Sequence, residues 1–116
     1  PIMPLAMDTS TITACSNDYD FKYLFSRNLE AFGNNGDALI IITTSGNSKN
    51  IIEVSRLAKK KKIPIIGFLG NNGGKVKKFV DIPLIVKSKN TARIQEAHIM
   101  LGHFIFEEVE NKLINN

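Results

Sequence analysis

The sequence has a single cysteine, Cys15, so no disulfide can form within the chain. So little cysteine is typical of a reducing compartment, and we expect a cytoplasmic protein. Long apolar runs are also missing, since none approaches the roughly 18 residues that a membrane-spanning helix needs. No signal peptide precedes the first strand-like segment. These absences favour a soluble domain of the cell interior with no membrane partner.

Acidic residues are in the minority, because 11 Asp and Glu stand against 15 Lys and Arg, which gives a net charge of +4. Four of the lysines form one run, Lys59 to Lys62. Such a run could bind nucleic acid or an anionic lipid surface. More often it is a solvated helix end, where lysines stabilise the helix macrodipole. We therefore expect no nucleic-acid partner.

The composition is that of one globular domain. The chain has 116 residues, of which 43% are hydrophobic and 22% charged, and domains commonly run to about 100–150 residues. We find no internal repeat, low-complexity segment or linker, and therefore treat residues 1–116 as one domain. The chain opens on Pro1-Ile2-Met3-Pro4 without an initiator methionine. It reads as though a segment upstream were missing.

Helical and strand-like patterns alternate along the chain. Apolar residues at helical spacing predict helices at residues 21–32, 51–58 and 91–114. Continuous apolar runs predict strands covered on both faces at residues 38–42 and 63–69, and a further strand at 82–86. A short, strand-like apolar segment lies at residues 5–7. Alternation of this kind predicts an α/β fold, a three-layer sandwich around a parallel sheet of at least four strands. A long C-terminal helix closes the chain.

The stretch IITTSGNSKNIIEV, residues 41–54, joins a predicted strand to a predicted helix. In parallel sheets, ligands bind beyond the carboxyl ends of strands, where helix N-termini converge. A helix that begins near Ser48 or Asn50 presents unpaired N–H groups and a partial positive charge. Short hydroxyls can add hydrogen-bond donors, and Gly46 allows a close approach of the backbone to a ligand. The pattern favours a phosphate-binding loop.

A plain loop remains the alternative, because Ser, Asn and Gly are ordinary turn residues. Asn50 and Glu53 could also form a capping box at the start of the helix. Capping explains one or two of the polar residues. It does not explain why four hydroxyl groups surround Gly46, namely those of Thr43, Thr44, Ser45 and Ser48. The loop is neither a P-loop nor the dinucleotide-binding G-x-G-x-x-G.

The segment TTSGNSKN resembles the S-T-S-G-N-S motif of the sugar isomerase (SIS) domain family, whose members bind phosphosugars. Further segments fall in the order and spacing of bacterial phosphoheptose isomerases, namely MDTSTITACSNDY, GDALIIITTSGNS, NNGGKVKKFVDIPLIV and RIQEAHIMLGH. The resemblance covers essentially the whole chain. It implies a flavodoxin-like SIS fold and suggests the C-terminal three-fifths of such a protein. The family's upstream helices, G-N-G-G-S loop and His/Glu pair have no counterpart here.

The resemblance also assigns residues. His103 matches the family's catalytic and metal-binding histidine, and Gln95 matches a residue that contacts substrate and metal. The remaining substrate-binding positions are Asn17, Asp18, Thr43, Thr44, Ser45 and Ser48. From the residues alone, Asn17-Asp18 reads as a turn between two helices, and a single helix histidine is more often structural. We assign no chemistry to His98, and we expect Glu96 to pair near Arg93.

The implied activity is an aldose–ketose isomerisation. It converts sedoheptulose 7-phosphate to D-glycero-D-manno-heptose 7-phosphate through an enediol, for bacterial heptose biosynthesis. The family carries one zinc per subunit and is homotetrameric. Gln95 and His103 would supply only two zinc ligands, so the others and a partner glutamate would lie upstream.

Two other functions remain open. A non-catalytic SIS-domain adaptor that binds the replication initiator resembles the isomerases but lacks the terminal histidine. The presence of His103 and of Gly46, which the adaptor replaces with arginine, favours the enzyme. A phosphosugar-sensing regulatory domain would normally be fused to a DNA-binding module, and we see none.

Overall fold

A computed structural model describes residues 2–6 and 8–115. Its elements are helix α1 (Thr9–Asp18), a 3₁₀ turn (Phe21–Tyr23), α2 (Leu24–Phe32), β1 (Leu39–Thr43), α3 (Lys49–Lys60), β2 (Ile65–Gly70), a second 3₁₀ helix (Lys75–Phe79), β3 (Ile82–Val86) and α4 (Thr91–Ile114). None of these described helices combines the length and the apolar character that crossing a bilayer requires.

The three strands form one parallel sheet in the order β1-β2-β3. Leu39 pairs with Ile65 at the start of β1, and Ile66 pairs with Ile82 at the start of β3. The predicted α/β fold with a parallel sheet and a long terminal helix is therefore confirmed.

The expectation of at least four strands is not met within the described residues, which contain three. The apolar segment near the start was the fourth candidate, and residues 2–6 form no strand. The side-chain amide of Asn28 donates a hydrogen bond to the carbonyl of Leu5, which holds this segment against α2 instead of in the sheet. Met7, the last residue of the candidate, lies outside the described residues.

Helices cover both faces of the sheet, as the three-layer prediction requires. On one face α2 and α3 bury the main core, whose buried members are Leu29, Leu39, Ile41, Val54, Ala58, Ile63, Ile65, Leu69 and Val76. On the other face α4 packs on β2 and β3. There the ring of His98 meets the ring of Phe68 edge-on, with centroids 5.9 Å apart.

The prediction that β1 is covered on both faces is wrong. Its residues alternate between buried and exposed, and Ile42 is 63% exposed on the α4 side. The reason is the path of α4, which crosses β2 and β3. A groove of about 660 Å³ therefore remains between α4 and β1, with Ile40 and Phe68 among its walls.

The lysine run lies at the C-terminal end of α3, as the helix-end interpretation predicts. Lys59 forms an ion pair with Asp81. The ammonium of Lys61 lies 3.0 Å from the carbonyl of Glu30 and donates to it at the end of α2. Half of the run thus makes contacts within the fold.

Candidate functional site

The loop that follows β1, residues 44–48, lies at the carboxyl edge of the sheet; we call it the serine loop. Because β1 and β2 are parallel, the segment after β2 reaches the same edge. A Cβ on Gly70, the last residue of β2, would stand 2.2 Å from the carbonyl oxygen of Thr44. The same Cβ would stand 2.7 Å from the Ile94 side chain, which comes from the first turn of α4. The start of α4 therefore lies beside the serine loop.

Two hydrogen bonds within the loop use hydroxyl groups as acceptors. The Thr43 hydroxyl, which is buried, accepts from the Gly46 N–H at 3.1 Å. The Ser45 hydroxyl accepts from the Asn47 N–H at 3.1 Å. The hydroxyls of Thr44 and Ser48 have no hydrogen-bond partner among the described residues. The hydroxyls of Thr43 and Ser45 thus hold the conformation of the loop. Those of Thr44 and Ser48 remain available to a ligand.

The serine loop ends at the N-terminus of α3. Ser48 occupies the capping position, but its side chain makes no capping hydrogen bond. The N–H groups of Lys49 and Asn50 have no partner within the described chain. Such unpaired amides, at the positive end of the helix dipole, bind anions.

The capping-box alternative is wrong. The Asn50 side chain accepts from the N–H of Ile51, its immediate neighbour. The Glu53 carboxylate receives two hydrogen bonds from Arg56, at 2.6 and 2.8 Å. Both side chains therefore have other partners, and the start of α3 is left without a reciprocal cap.

The charge at the start of α3 is opposite to what a helix prefers. Lys49 is the first helical residue, and the first turn contains no acidic residue. A cation at this end costs about 0.3–1 kcal/mol at an exposed position. Local rules of this kind are broken most often at functional sites. A bound anion would remove the conflict.

Asn17 and Asp18 form the last residues of α1, and both are exposed. The Asn17 amide donates to the Asp18 carboxylate at 2.9 Å. The 3₁₀ turn that follows packs against α3. The pKa of Asp20 is lowered first by the hydrogen bond from the Lys22 N–H, then by the Lys22 charge and last by the charge of Lys49, the first residue of α3. The predicted sugar contacts therefore lie at the end of α1, just before the turn that packs against α3.

Gln95 and His103 both line the groove between α4 and β1. Gln95 follows directly after Ile94, which contacts Gly70 beside the serine loop. His103 lies eight residues further along the same helix, roughly 12 Å along its axis. The structure thus places one predicted ligand close to the serine loop and the other further down the groove.

The donor types of these two residues suit part of a zinc site, and one shared ion would require the two side chains to lean towards each other along α4. An amide oxygen and an imidazole nitrogen are suitable donors, and a zinc ion takes four ligands in most protein sites. Within the described residues, no group of three or more His, Cys, Asp and Glu is placed to hold a metal. Any zinc bound by Gln95 and His103 therefore needs ligands from elsewhere.

His98, which lines the same groove, has a structural contact that the sequence did not predict. It is 5% exposed, and its Nε2 lies 3.1 Å from the carbonyl oxygen of Leu69. A carbonyl oxygen only accepts, so Nε2 carries the hydrogen. No described residue provides a hydrogen-bond partner for the buried Nδ1. His98 thus attaches α4 to β2.

The comparisons with known proteins agree with this geometry. The family model of the SIS domain matches residues 1–70. The chain belongs to the SIS domain family. It is 50% identical over 113 residues to the phosphoheptose isomerase of Clostridium acetobutylicum, covering 97% of this chain and 58% of the relative. It is 46% identical over 116 residues to that of Sulfurimonas denitrificans, covering 60% of that protein.

Solved structures support the same assignment. Phosphoheptose isomerase GmhA from Neisseria gonorrhoeae superposes with a TM-score of 0.91 at 40% identity, over 94% of this chain and 61% of that one. The enzyme from Francisella tularensis superposes with a TM-score of 0.85 at 39% identity, over 89% of this chain and 56% of that one. This SIS chain therefore spans about three-fifths of the length of the curated relatives that it matches.

Proposed function

We propose that this chain forms part of a phosphoheptose isomerase, which converts sedoheptulose 7-phosphate to D-glycero-D-manno-heptose 7-phosphate. The observation that carries the proposal is the serine loop itself. It offers the free hydroxyls of Thr44 and Ser48 and the unpaired amides at the start of α3. They lie beside the helix that carries Gln95 and His103. The named relatives are isomerases of this kind.

The serine loop would hold the phosphate. The amides of Lys49 and Asn50 and the hydroxyls of Thr44 and Ser48 donate to its oxygens. The Lys49 ammonium adds positive charge. Fixing the phosphate orients the sugar, because positioning of a reacting carbon can supply a large part of the rate. Asn17 and Asp18 would contact the sugar hydroxyls from the end of α1.

His103 would carry the proton chemistry. Aldose–ketose isomerisation moves a proton between adjacent carbons through an enediol, which requires a base near one carbon and an acid near the carbonyl oxygen. Imidazole titrates near neutrality and suits either role. His103 is exposed to the groove and makes no hydrogen bond to another described residue. The second acid–base group would be the glutamate that the resemblance places upstream.

Gln95 and His103 would also hold a zinc ion, together with ligands from outside this chain's described residues. When bound, zinc would polarise the carbonyl of the sugar. The heptose phosphate formed would enter bacterial heptose biosynthesis in the cytoplasm.

We also propose that the protein is a homotetramer in which α4 packs against another subunit. Large apolar side chains are more than 60% exposed along this helix: Ile99, Met100, Phe104, Leu113 and Ile114. Helices that are apolar over so much of their circumference are usually buried on several sides. A second copy of the chain, which carries the same apolar helix, would cover them.

The proposal is tested by replacing His103 in the full-length protein. His103→Ala should lower turnover of sedoheptulose 7-phosphate at least about a hundredfold, since positioned acid–base groups contribute about 10²–10⁴. In the zinc-free protein the free energy of unfolding should change by less than about 0.5 kcal/mol, because the side chain is exposed. Asn111→Ala, an exposed change two turns further along α4, should leave both quantities unchanged. Near-normal turnover of His103→Ala would refute its catalytic role.

A further inference from the structure

The segment between β2 and the second 3₁₀ helix, residues 71–74, packs backbone to backbone against the serine loop; we call it the diglycine loop. A Cβ on Gly46 would lie 2.1 Å from the carbonyl oxygen of Gly73. A Cβ on Gly74 would lie 2.5 Å from that of Ser45. Real Cβ atoms do not approach other atoms this closely, so the two loops fit together only with glycine at these positions. Gly46 and Gly74 also have positive φ angles, of +66° and +56°.

Asn47 connects the two loops through the nitrogen and the oxygen of its side-chain amide. Its amide nitrogen donates to the carbonyl of Ser45 at 3.0 Å, within the serine loop. Its amide oxygen accepts from the N–H of Lys75 at 3.1 Å, just after the diglycine loop. The next amide along the chain, that of Val76, donates to the carbonyl of Gly46 at 3.0 Å.

These contacts determine which groups the serine loop can offer. The carbonyls of Ser45 and Gly46 are both engaged as acceptors, one by Asn47 and the other by Val76. A carbonyl oxygen turned towards a phosphate would repel it. With these two carbonyls held elsewhere, the loop presents hydroxyls and amides, which attract an anion. A ligand then meets a site that is already ordered and loses less affinity to ordering the loop.

We propose that Asn47 and Gly74 are positioning residues, which hold the serine loop in the form that binds the phosphate of the substrate. This inference rests on the proposed function. Neither residue needs to touch the phosphate. Their removal should weaken binding of the phosphate group and leave the proton-transfer step on α4 largely intact.

The test compares four variants of the full-length protein. Asn47→Ala is matched by Asn35→Ala, an exposed asparagine in the loop before β1 with no hydrogen bond to another described residue. Gly74→Ala is matched by Gly36→Ala, since Gly36 also has a positive φ, of +95°, but has open space where a Cβ would stand. Both controls carry the same type of change at the opposite edge of the sheet.

Two quantities are measured for each variant: the dissociation constant of inorganic phosphate by calorimetry, and kcat and KM for sedoheptulose 7-phosphate. Asn47→Ala should raise both the dissociation constant and KM by about fivefold to fiftyfold, the range expected for losing two hydrogen bonds that order a loop, and kcat should stay within about threefold. Gly74→Ala should do the same or more. Asn35→Ala and Gly36→Ala should leave phosphate binding unchanged.

A purely structural role would give a different result. It would lower stability in Asn47→Ala while KM and phosphate affinity of the folded protein stayed at the level of Asn35→Ala, and this would overturn the inference. If the unaltered protein binds phosphate and isomerises the sugar, such a result leaves the proposed function standing. If the unaltered protein does neither, the proposed function and this inference both fail.

Discussion

The attachment of α4 to β2 through His98 can be tested by removing the imidazole. His98→Ala deletes a side chain that is 5% exposed, the hydrogen bond to the Leu69 carbonyl and the edge-on contact with the Phe68 ring. Loss of a buried hydrogen-bond donor costs about 1–3 kcal/mol. The cavity left by a buried ring adds a further amount, so we expect a total loss of about 2–4 kcal/mol in the free energy of unfolding.

The assay is urea unfolding of the full-length protein. The slope of the unfolding free energy against urea concentration is compared between variants, so that a change in stability is not confused with a change in the unfolded state. His98→Gln retains a side-chain N–H donor and should recover about 1 kcal/mol of the loss. Glu96→Ala is the matched control on the same helix. Glu96 is exposed and paired with Arg93, as expected from the sequence, and a surface pair of this kind contributes about 0–1 kcal/mol. If His98→Ala were no less stable than Glu96→Ala, His98 would not hold α4 on the sheet.

Three further predictions follow from the site and its surroundings. Ser48→Ala should weaken binding of sedoheptulose 7-phosphate but barely change binding of the dephosphorylated sugar, and equal losses for both by calorimetry would mean that the loop does not recognise phosphate. Hydrogen bonds from Lys59 and then from the Ile65 N–H lower the pKa of Asp81 below its ordinary value of 3.8. The carboxylate therefore stabilises the fold above pH 3.8 and loses this effect as the pH falls through the lowered pKa. In acid titrations, the stability advantage over Asp81→Asn should shrink below that pH, and a constant difference would contradict it. Phe104→Glu should reduce the sedimenting mass, and an unchanged tetramer, or a monomeric unaltered protein, would contradict the subunit contact.

Much of the fold could be predicted because its signals are local. The apolar runs of β1 and β2 and the helical spacing of α3 each lie within a few residues. The helix predicted at residues 21–32 is divided in the structure, with a 3₁₀ turn before α2. Asp20 accepts a hydrogen bond from the N–H of Lys22, which fixes the tighter turn. Periodicity alone does not distinguish such a turn from the first turn of an α-helix.

The burial of β1 could not be predicted, because an apolar run does not show where another helix will pass. Ile40 and Ile42 fit a strand covered on both faces, yet α4 leaves them lining a groove. In longer SIS-domain relatives, of which this chain spans about three-fifths, more chain is available to pack. The apolar pattern of β1 predicts burial on both faces of the strand, but the described residues bury only one of them.

The serine loop was predicted as an anion site from its composition, but the residues that support it were not. Asn47 and Lys75 are 28 positions apart, and no periodic pattern connects them. The pair Gly73-Gly74 reads as an ordinary turn in the sequence. Its role depends on the approach of another loop, which only the three-dimensional arrangement reveals. His98 is a similar case, because its partner Leu69 is 29 positions away.

The most direct test of the proposed isomerase is the conversion of sedoheptulose 7-phosphate itself. The full-length protein, supplied with zinc, is incubated with the sugar phosphate in D₂O, and the products are followed by NMR. An enediol mechanism predicts that an aldose heptose 7-phosphate appears and that deuterium enters at its C2 wherever the transferred proton exchanges with solvent. Recovery of unchanged, unlabelled sedoheptulose 7-phosphate, at protein concentrations where the sugar phosphate is bound, would contradict the proposed isomerase activity.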